Sequence, residues 1–323
     1  MKTVSILVPA TAVPATIVNP RYLFSAVNTF FSDAGHEPFF DVQLVGKDRN
    51  VALDGGIMSM HPDKLISEVS HTDLIIIPAI SGDVSEAIET NAAFLPWIQE
   101  QYKQGAEVAS LCIGAFLLAA TGLVDGRQCS THWLYANQFR TMFPQVTLTD
   151  GRVVTDQQGI YSSGGANSHW NLLLYLVEKY TSREMAIIAS KFFVLDMELQ
   201  SQLPFSMFKG QKNHNDEEVL RAQGFIEQHY QERITVEDLA GRFAIGRRTF
   251  ERRFKKATSN TVIEYIQRVK IEAAKTALEK ARKTVNEVMY DVGYSDTKAF
   301  RDLFRKITGL TPMEYRSKFT ALR

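Results

Sequence analysis

The sequence predicts a doubly wound α/β domain followed by an all-α domain built on two helix-turn-helix motifs. Three observations lead there. Short β-rich apolar runs alternate with helical patterns over the first two thirds of the chain, as in a parallel sheet covered by helices on both faces. The last third repeats its apolar pattern at an offset of 49 to 50 residues. Charge is also unevenly divided: residues 1–215 hold 14 Lys and Arg against 20 Asp and Glu, a balance of −6, while residues 216–323 hold 22 against 16, a balance of +6. The zero net charge is thus an average of an acidic module and a basic one suited to a polyanion.

The 323 residues make about two average domains. A composition of 45% hydrophobic and 22% charged residues excludes a disordered, collagenous or low-complexity chain. Two cysteines, Cys112 and Cys129, are too few for a disulfide framework, so a reducing, cytoplasmic setting is expected. Lys2 and the apolar stretch after it have the outline of a signal peptide, but Pro9 and Pro14 interrupt the run, which reads as a buried strand. No stretch reaches the roughly 18 uncharged apolar residues of a membrane span.

Within the first module, strands are expected at 4–8, 40–45, 74–77, 107–111 and 159–162. Helices are expected at 21–34, 92–104, 115–121, 167–180 and 183–200. The informative junction is Glu107-Val-Ala-Ser-Leu-Cys112-Ile-Gly-Ala-Phe116, a strand running directly into a helix with a thiol at the turn. This is the context of a nucleophile elbow, which presents its central side chain at the carboxyl end of the sheet. A helix N-terminus favours the thiolate, so Cys112 is expected to be the more reactive cysteine. Amides around Ile113 and in the turn 78–82 would add an anion-accepting concavity. A lone Cys amid apolar residues is equally the signature of a small buried hydrophobe. His132, beside Trp133, reads either as the thiol's partner or as a satisfied polar group at a strand end. Ser162-Ser-Gly164-Gly165 is a candidate ligand-facing turn or a tight connection. The histidines show no metal-ligand spacing, and no metal or cofactor is expected.

The run SLCIGAFLLAATGLVDGRQCSTHW, with the later DGRVVTDQQGIYSSGGANSHWNLLLYLVE and AIIASKFFVLDMELQSQLPF, resembles the N-terminal domain of GlxA-like regulators. The resemblance covers most of residues 3–206 and implies the flavodoxin-like, PfpI-type, class I glutamine amidotransferase-like fold. Enzymes of that superfamily pair the elbow cysteine with a histidine and an acid in the loop after the first strand. Cys112 and His132 match the first two positions, but residues 9–32 contain no Asp or Glu, and Asn19 stands where the acid would be. The resemblance therefore implies a pocket of Cys112, Ile113, His132, Asn19 and Gly164 that kept its shape and lost its turnover. The alternative is a working cysteine-dependent hydratase, isomerase or deglycase-like enzyme, and a third reading makes the domain a dimerisation module only.

A polar, glycine-containing stretch after Pro204 reads as a linker, with the domain boundary near residue 212 (1–212 and 213–323). Asp216 then offers an N-cap to a helix. Val236, Leu239 and Phe243 recur at Val285, Val288 and Val292, 49 residues on; Phe250, Phe254, Thr258 and Tyr265 recur at Phe300, Phe304, Thr308 and Tyr315, 50 residues on. Each copy reads as helix, turn and second helix, spanning about 236–258 and 285–308. Residues 262–280 form an intervening helix. The doubled motif and the closing TPMEYR resemble the DNA-binding domain of the AraC family over about residues 217–319. Carried over position by position, the resemblance implies base readers at Arg247, Arg248, Glu251 and Arg252 in the first recognition helix. In the second they are Asp296, Thr297, Lys298 and Arg301, with Lys255, Lys256, Arg305 and Lys306 on phosphates. Asp302, an acid on that face, marks the second helix as the weaker reader. The expected protein is a homodimeric regulator that binds a double-stranded operator and senses a small molecule or thiol-reactive species, with RNA polymerase as a further candidate partner.

Overall fold

A computed structural model describes residues 1–149, 151–197, 200–280 and 282–320. The chain forms two units, Met1–Gln202 and Leu203–Arg323. The division falls ahead of the expected 212, because the intervening stretch is tied to the helical unit. Phe208 places its ring 5.1 Å from Tyr265 and its N–H donates to Glu272 Oε2 at 3.0 Å. Polar composition and Gly210 suggested a free linker, but Phe205 and Phe208 anchor it, the former edge-on to Phe319 at 5.6 Å.

In the first unit seven strands lie in the order Val154–Gln157, Ile160–Ser163, Glu107–Leu111, Leu74–Ile77, Lys2–Val8, Phe40–Gly46 and Lys64–Leu65. Neighbours are parallel except the first pair, an antiparallel edge. Side chains alternate between faces, so Leu74 and Ile76 enter one core while Ile75 and Ile77 enter the other. Both faces being covered, the strand reads as an unbroken apolar run.

Several helix limits differ from expectation. The first helix spans Ala15–Asp33 and carries Pro20 inside it. Its start is held by Thr16, whose hydroxyl donates to Val13 O at 2.7 Å and accepts from Ala79 N–H at 3.0 Å, a tertiary contact with no local signature. The helix expected at 92–104 is Phe94–Lys103, and a separate helix, Val84–Thr90, precedes it without having been expected. The helix expected to reach 200 is Arg183–Phe193, ended by left-handed Val194 at φ 54°; residues 198 and 199 of that expectation lie outside the described residues. Helix Ala136–Met142 and the small strand pairs Val51–Leu53 with Met58–Met60 and Gln128–Cys129 with Thr147–Leu148 were not anticipated. Among the described residues no helix is long and apolar enough to cross a membrane.

The second unit contains helices Glu217–His229, Val236–Arg242, Arg247–Thr258, Val262–Glu279, Val285–Asp291, Thr297–Thr308 and Pro312–Phe319. The repeat extends to individual hydrogen bonds. Thr258 and Thr308 hydroxyls donate back to Phe254 O and Phe304 O, each at 2.8 Å. Tyr265 and Tyr315 hydroxyls donate to Glu227 and Glu279 Oε1, each at 2.7 Å. Capping boxes pair Thr235 with Asp238, Thr261 with Glu264, Thr284 with Glu287 and Thr311 with Glu314. The turns contain Ala244 at φ 52° and Gly293 at φ 76°.

Candidate nucleic-acid interface and elbow site

Helix Arg247–Thr258 buries Phe250, Phe254 and Thr258, and the 3.6-residue period turns Arg248, Arg252, Lys255 and Lys256 outward. Helix Thr297–Thr308 buries Phe300, Phe304 and Thr308, leaving Thr297, Lys298, Arg301, Asp302, Arg305 and Lys306 exposed. No hydrogen bond or ion pair within the described residues holds Arg248, Arg252, Lys255, Lys256, Lys298, Arg301, Arg305 or Lys306. Such a face keeps its cations available to phosphates and base edges.

Other residues read from the sequence are already engaged. Arg247 is paired with Glu237 and, at 3.5 Å, with Glu251, so both spend charge inside the chain. Asp296 is the N-cap of the second recognition helix, its Oδ1 accepting from Ala299 N–H at 2.9 Å; this assigns its carboxylate to the cap. Arg253 points the other way from Arg252 and donates to Asp216 at 2.8 and 2.7 Å and to Glu218 at 2.5 Å. It fastens the helix to the entry helix Glu217–His229.

At the elbow, Cys112 has φ 55° between Glu107–Leu111 and the turn Cys112–Gly114. The turn rides directly on the neighbouring strand end: a Cβ on Gly114 would come within 2.4 Å of Pro78 O. Cys112 N–H donates to Ser163 Oγ at 3.4 Å, and Thr131 Oγ1 donates to Cys112 O at 3.2 Å. Cys112 is 6% exposed, and burial pushes its thiol pKa up to about 11, the Ile113 N–H opposing the shift in part. The lowered pKa expected from the helix N-terminus is thus corrected, because the six-residue helix that follows, Ala115–Ala120, does not offset desolvation. Cys129, fully buried, is pushed further, to about 12. Ala79 N–H is taken by Thr16 Oγ1 and Ser81 N–H by Thr11 O, so those amides do not contribute to the expected anion-accepting concavity.

His132 follows Thr131 into the same neighbourhood but acts as a cap. Its Nδ1 accepts from Leu134 N–H at 3.1 Å, and its ring lies 5.4 Å from that of Trp133. With that lone pair engaged, the neutral ring carries its proton on Nε2 and has no lone pair left to take a thiol proton. Burial holds its pKa below the usual imidazole range.

Asn19 is turned to a residue the sequence reading passed over. Its Nδ2 lies 2.9 Å from His169 Nε2, and His169 Nδ1 lies 2.8 Å from Ala166 O. The carbonyl can only accept, so Nδ1 carries the proton and Nε2 accepts from Asn19. Burial lowers the pKa of this imidazole, which is 2% exposed. A signal was present: the dipeptide His-Trp occurs at 132–133 and again at 169–170. Gly164 is buried, and a Cβ there would meet Gln202 Nε2 at 2.1 Å and Thr131 O at 2.6 Å, so the backbone packs closely at this point.

Residues 22–179 match the DJ-1/PfpI family and residues 239–318 match the helix-turn-helix domain family. The chain joins a DJ-1/PfpI domain to a helix-turn-helix domain. It is 24% identical over 269 residues to the HTH-type transcriptional regulator GbdR of Pseudomonas aeruginosa, spanning 82% of this chain and 71% of that one. It is 22% identical over 290 residues to the HTH-type transcriptional regulator GlxA of Rhizobium meliloti, spanning 88% and 87%. Drosophila melanogaster DJ-1beta superposes with a TM-score of 0.51 at 14% identity, covering 60% of this chain and 98% of that one. An AraC family transcriptional regulator from Pseudomonas putida superposes with a TM-score of 0.50 at 17% identity, covering 60% and 100%. The DJ-1/PfpI domain followed by the helix-turn-helix domain is the architecture of a DNA-binding transcriptional regulator.

Proposed function

We propose that this regulator reads a double-stranded operator with both recognition helices and that its DJ-1/PfpI domain senses a small-molecule effector. The unpaired basic faces of Arg247–Thr258 and Thr297–Thr308 support the first part. Arg248, Arg252, Lys298 and Arg301 are the base readers, and Lys255, Lys256, Arg305 and Lys306 the phosphate contacts. Two helices in successive major grooves stand about 34 Å apart, so one protomer covers roughly 20 base pairs. The domain works as a pocket without turnover: a buried thiol with a raised pKa, a capping imidazole and an asparagine committed to His169 lack a base oriented by a third group. The same raised pKa favours a non-covalent effector over a thiol-reactive one. Dimerisation through the DJ-1/PfpI domain would place two such readers on one operator and multiply affinity through effective concentration.

Footprinting on a duplex selected by the wild-type chain from a random-sequence pool tests the reading. A protected stretch of roughly 20 base pairs per protomer supports it; protection of a single half-site overturns the two-helix assignment. Thermal shifts across a metabolite library test for the effector, and sedimentation of residues 1–202 tests for the dimer.

A further inference from the structure

Lys270 lies mid-way along the intervening helix Val262–Glu279 and is 6% exposed. Before it on this helix, Val262, Tyr265 and Ile266 enter the core of the first helix-turn-helix half. After it, Ile271, Ala274 and Leu278 enter the core of the second. The two cores are separate clusters joined through this one helix and through Tyr230, which packs against the second core, and non-directional apolar packing leaves the fine rotation between the halves to polar contacts.

The Lys270 ammonium sits at that seam. It donates to Glu232 O at 3.2 Å, in the turn after the entry helix of the first half, and to Val292 O at 3.0 Å. Val292 is the C-cap of Val285–Asp291 in the second half, where a helix end favours a cation. The Tyr294 ring lies 5.4 Å away and supplies a π face to the remaining donor. No carboxylate among the described residues hydrogen-bonds to it, so its hydration is replaced by main-chain oxygens from both halves. Beside it, Gly293 has φ +76°, and a Cβ there would meet Gln231 O at 2.2 Å and Lys270 Nζ at 2.7 Å. The halves therefore touch backbone to backbone at this point.

We propose that Lys270 is a positioning residue for operator recognition: by bonding Glu232 O and Val292 O together, it sets the rotation between the two recognition helices and hence the half-site spacing the protein accepts. Hydrogen bonds are directional, whereas hydrophobic contact is not. A buried lysine without an acid partner is a poor stabiliser, and buried polar groups are best attested where they specify register. This inference rests on the reading that both helices engage one operator.

The test uses the full chain and the duplex that the wild type selects from a random pool. Companion duplexes carry one base pair inserted or removed between the half-sites, which rotates them by about 34° relative to each other, or carry one half-site only. The wild type should lose roughly tenfold in affinity per one-base-pair change, the scale of a single mismatch. Lys270→Met should bind the single half-site like the wild type but show a flattened spacing profile. Gly293→Ala, which wedges the same seam, should move the preferred spacing. A Lys270→Met profile that overlays the wild type's, or equal losses on half-site and full-site duplexes, overturns the proposal. If Lys270→Met does not melt cooperatively, an unshifted Gly293→Ala profile overturns it instead. Should the wild type select no duplex, the operator reading itself fails and takes this proposal with it.

Discussion

At pH 8, alkylation of Cys112 by iodoacetamide should run at least two orders of magnitude more slowly than that of an exposed cysteine. The thiolate is the reactive species, and burial pushes the Cys112 pKa up to about 11. At that pH roughly one part in a thousand is thiolate, against about a quarter for a thiol of unperturbed pKa near 8.5. Because Cys112 is also only 6% exposed, access lowers the rate further. Cys129, pushed up to about 12, should be slower still, so timed alkylation followed by peptide mass spectrometry across an alkaline pH series will separate the two. His132→Ala should leave the Cys112 profile in place, since that ring is spent on Leu134 N–H. The folded-state pKa lies above the unfolded value, so the buried thiols add stability that is full below about pH 8.5. That stability is lost as the pH rises through about 11 for Cys112. A Cys112 that titrates near neutrality, or slows when His132 is removed, would refute the reasoning and restore the thiolate–imidazole pair that the enzyme reading requires.

Arg248→Ala and Arg252→Ala should each cost about 1 to 3 kcal/mol of operator affinity and relax preference at one base position, while Lys255→Ala should weaken all sequences alike and reduce the salt slope by about one; binding-site selection at two salt concentrations checks this, and a uniform loss for the arginines counts against base reading. Arg253→Ala should lower the melting temperature of the helix-turn-helix domain with little change in base preference, because its partners are Asp216 and Glu218. Ala244→Gly should stabilise the chain by about 0.5 to 1 kcal/mol in denaturant melts by relieving a left-handed alanine; a destabilised variant would show that the φ of 52° carries no strain. His169 titrates below the unperturbed 6.5 when folded, so the stability it contributes is present above pH about 6.5 and lost as pH falls through the folded-state value. His169→Gln should blunt that acid loss in thermal melts taken across pH 4 to 7, and an unchanged acid limb would remove His169 as its source.

The second unit was legible because its determinants are local. Four helix starts carry a Thr with an acid three residues on, each recognition helix a Phe pair four apart, and the pattern occurs twice. The i,i+4 spacing of Arg247 and Glu251 and the N-cap position of Asp296 were local signals that the charge pattern alone did not separate from a reading face, whereas the Arg247–Glu237 pair needed the neighbouring helix to be placed. The boundary behaved likewise: Phe208 reads as one apolar residue in a polar stretch until Tyr265 and Glu272 are placed beside it.

In the first unit the central strands and the elbow could be read directly, because apolar runs and the Cys112-Ile-Gly114 turn are properties of neighbouring residues. The chemistry of that turn could not. Whether the thiol is activated depends on balancing a helix end against desolvation, and the packing that buries Cys112 comes from segments far away in the chain. His132 and Asn19 had the right residue types in the right order, but one lone pair goes to Leu134 and one amide goes to His169. Residue order sets which groups are present; three-dimensional proximity sets which hydrogen bonds they have already formed, and a group whose donors and acceptors are satisfied within the fold has none left for a substrate.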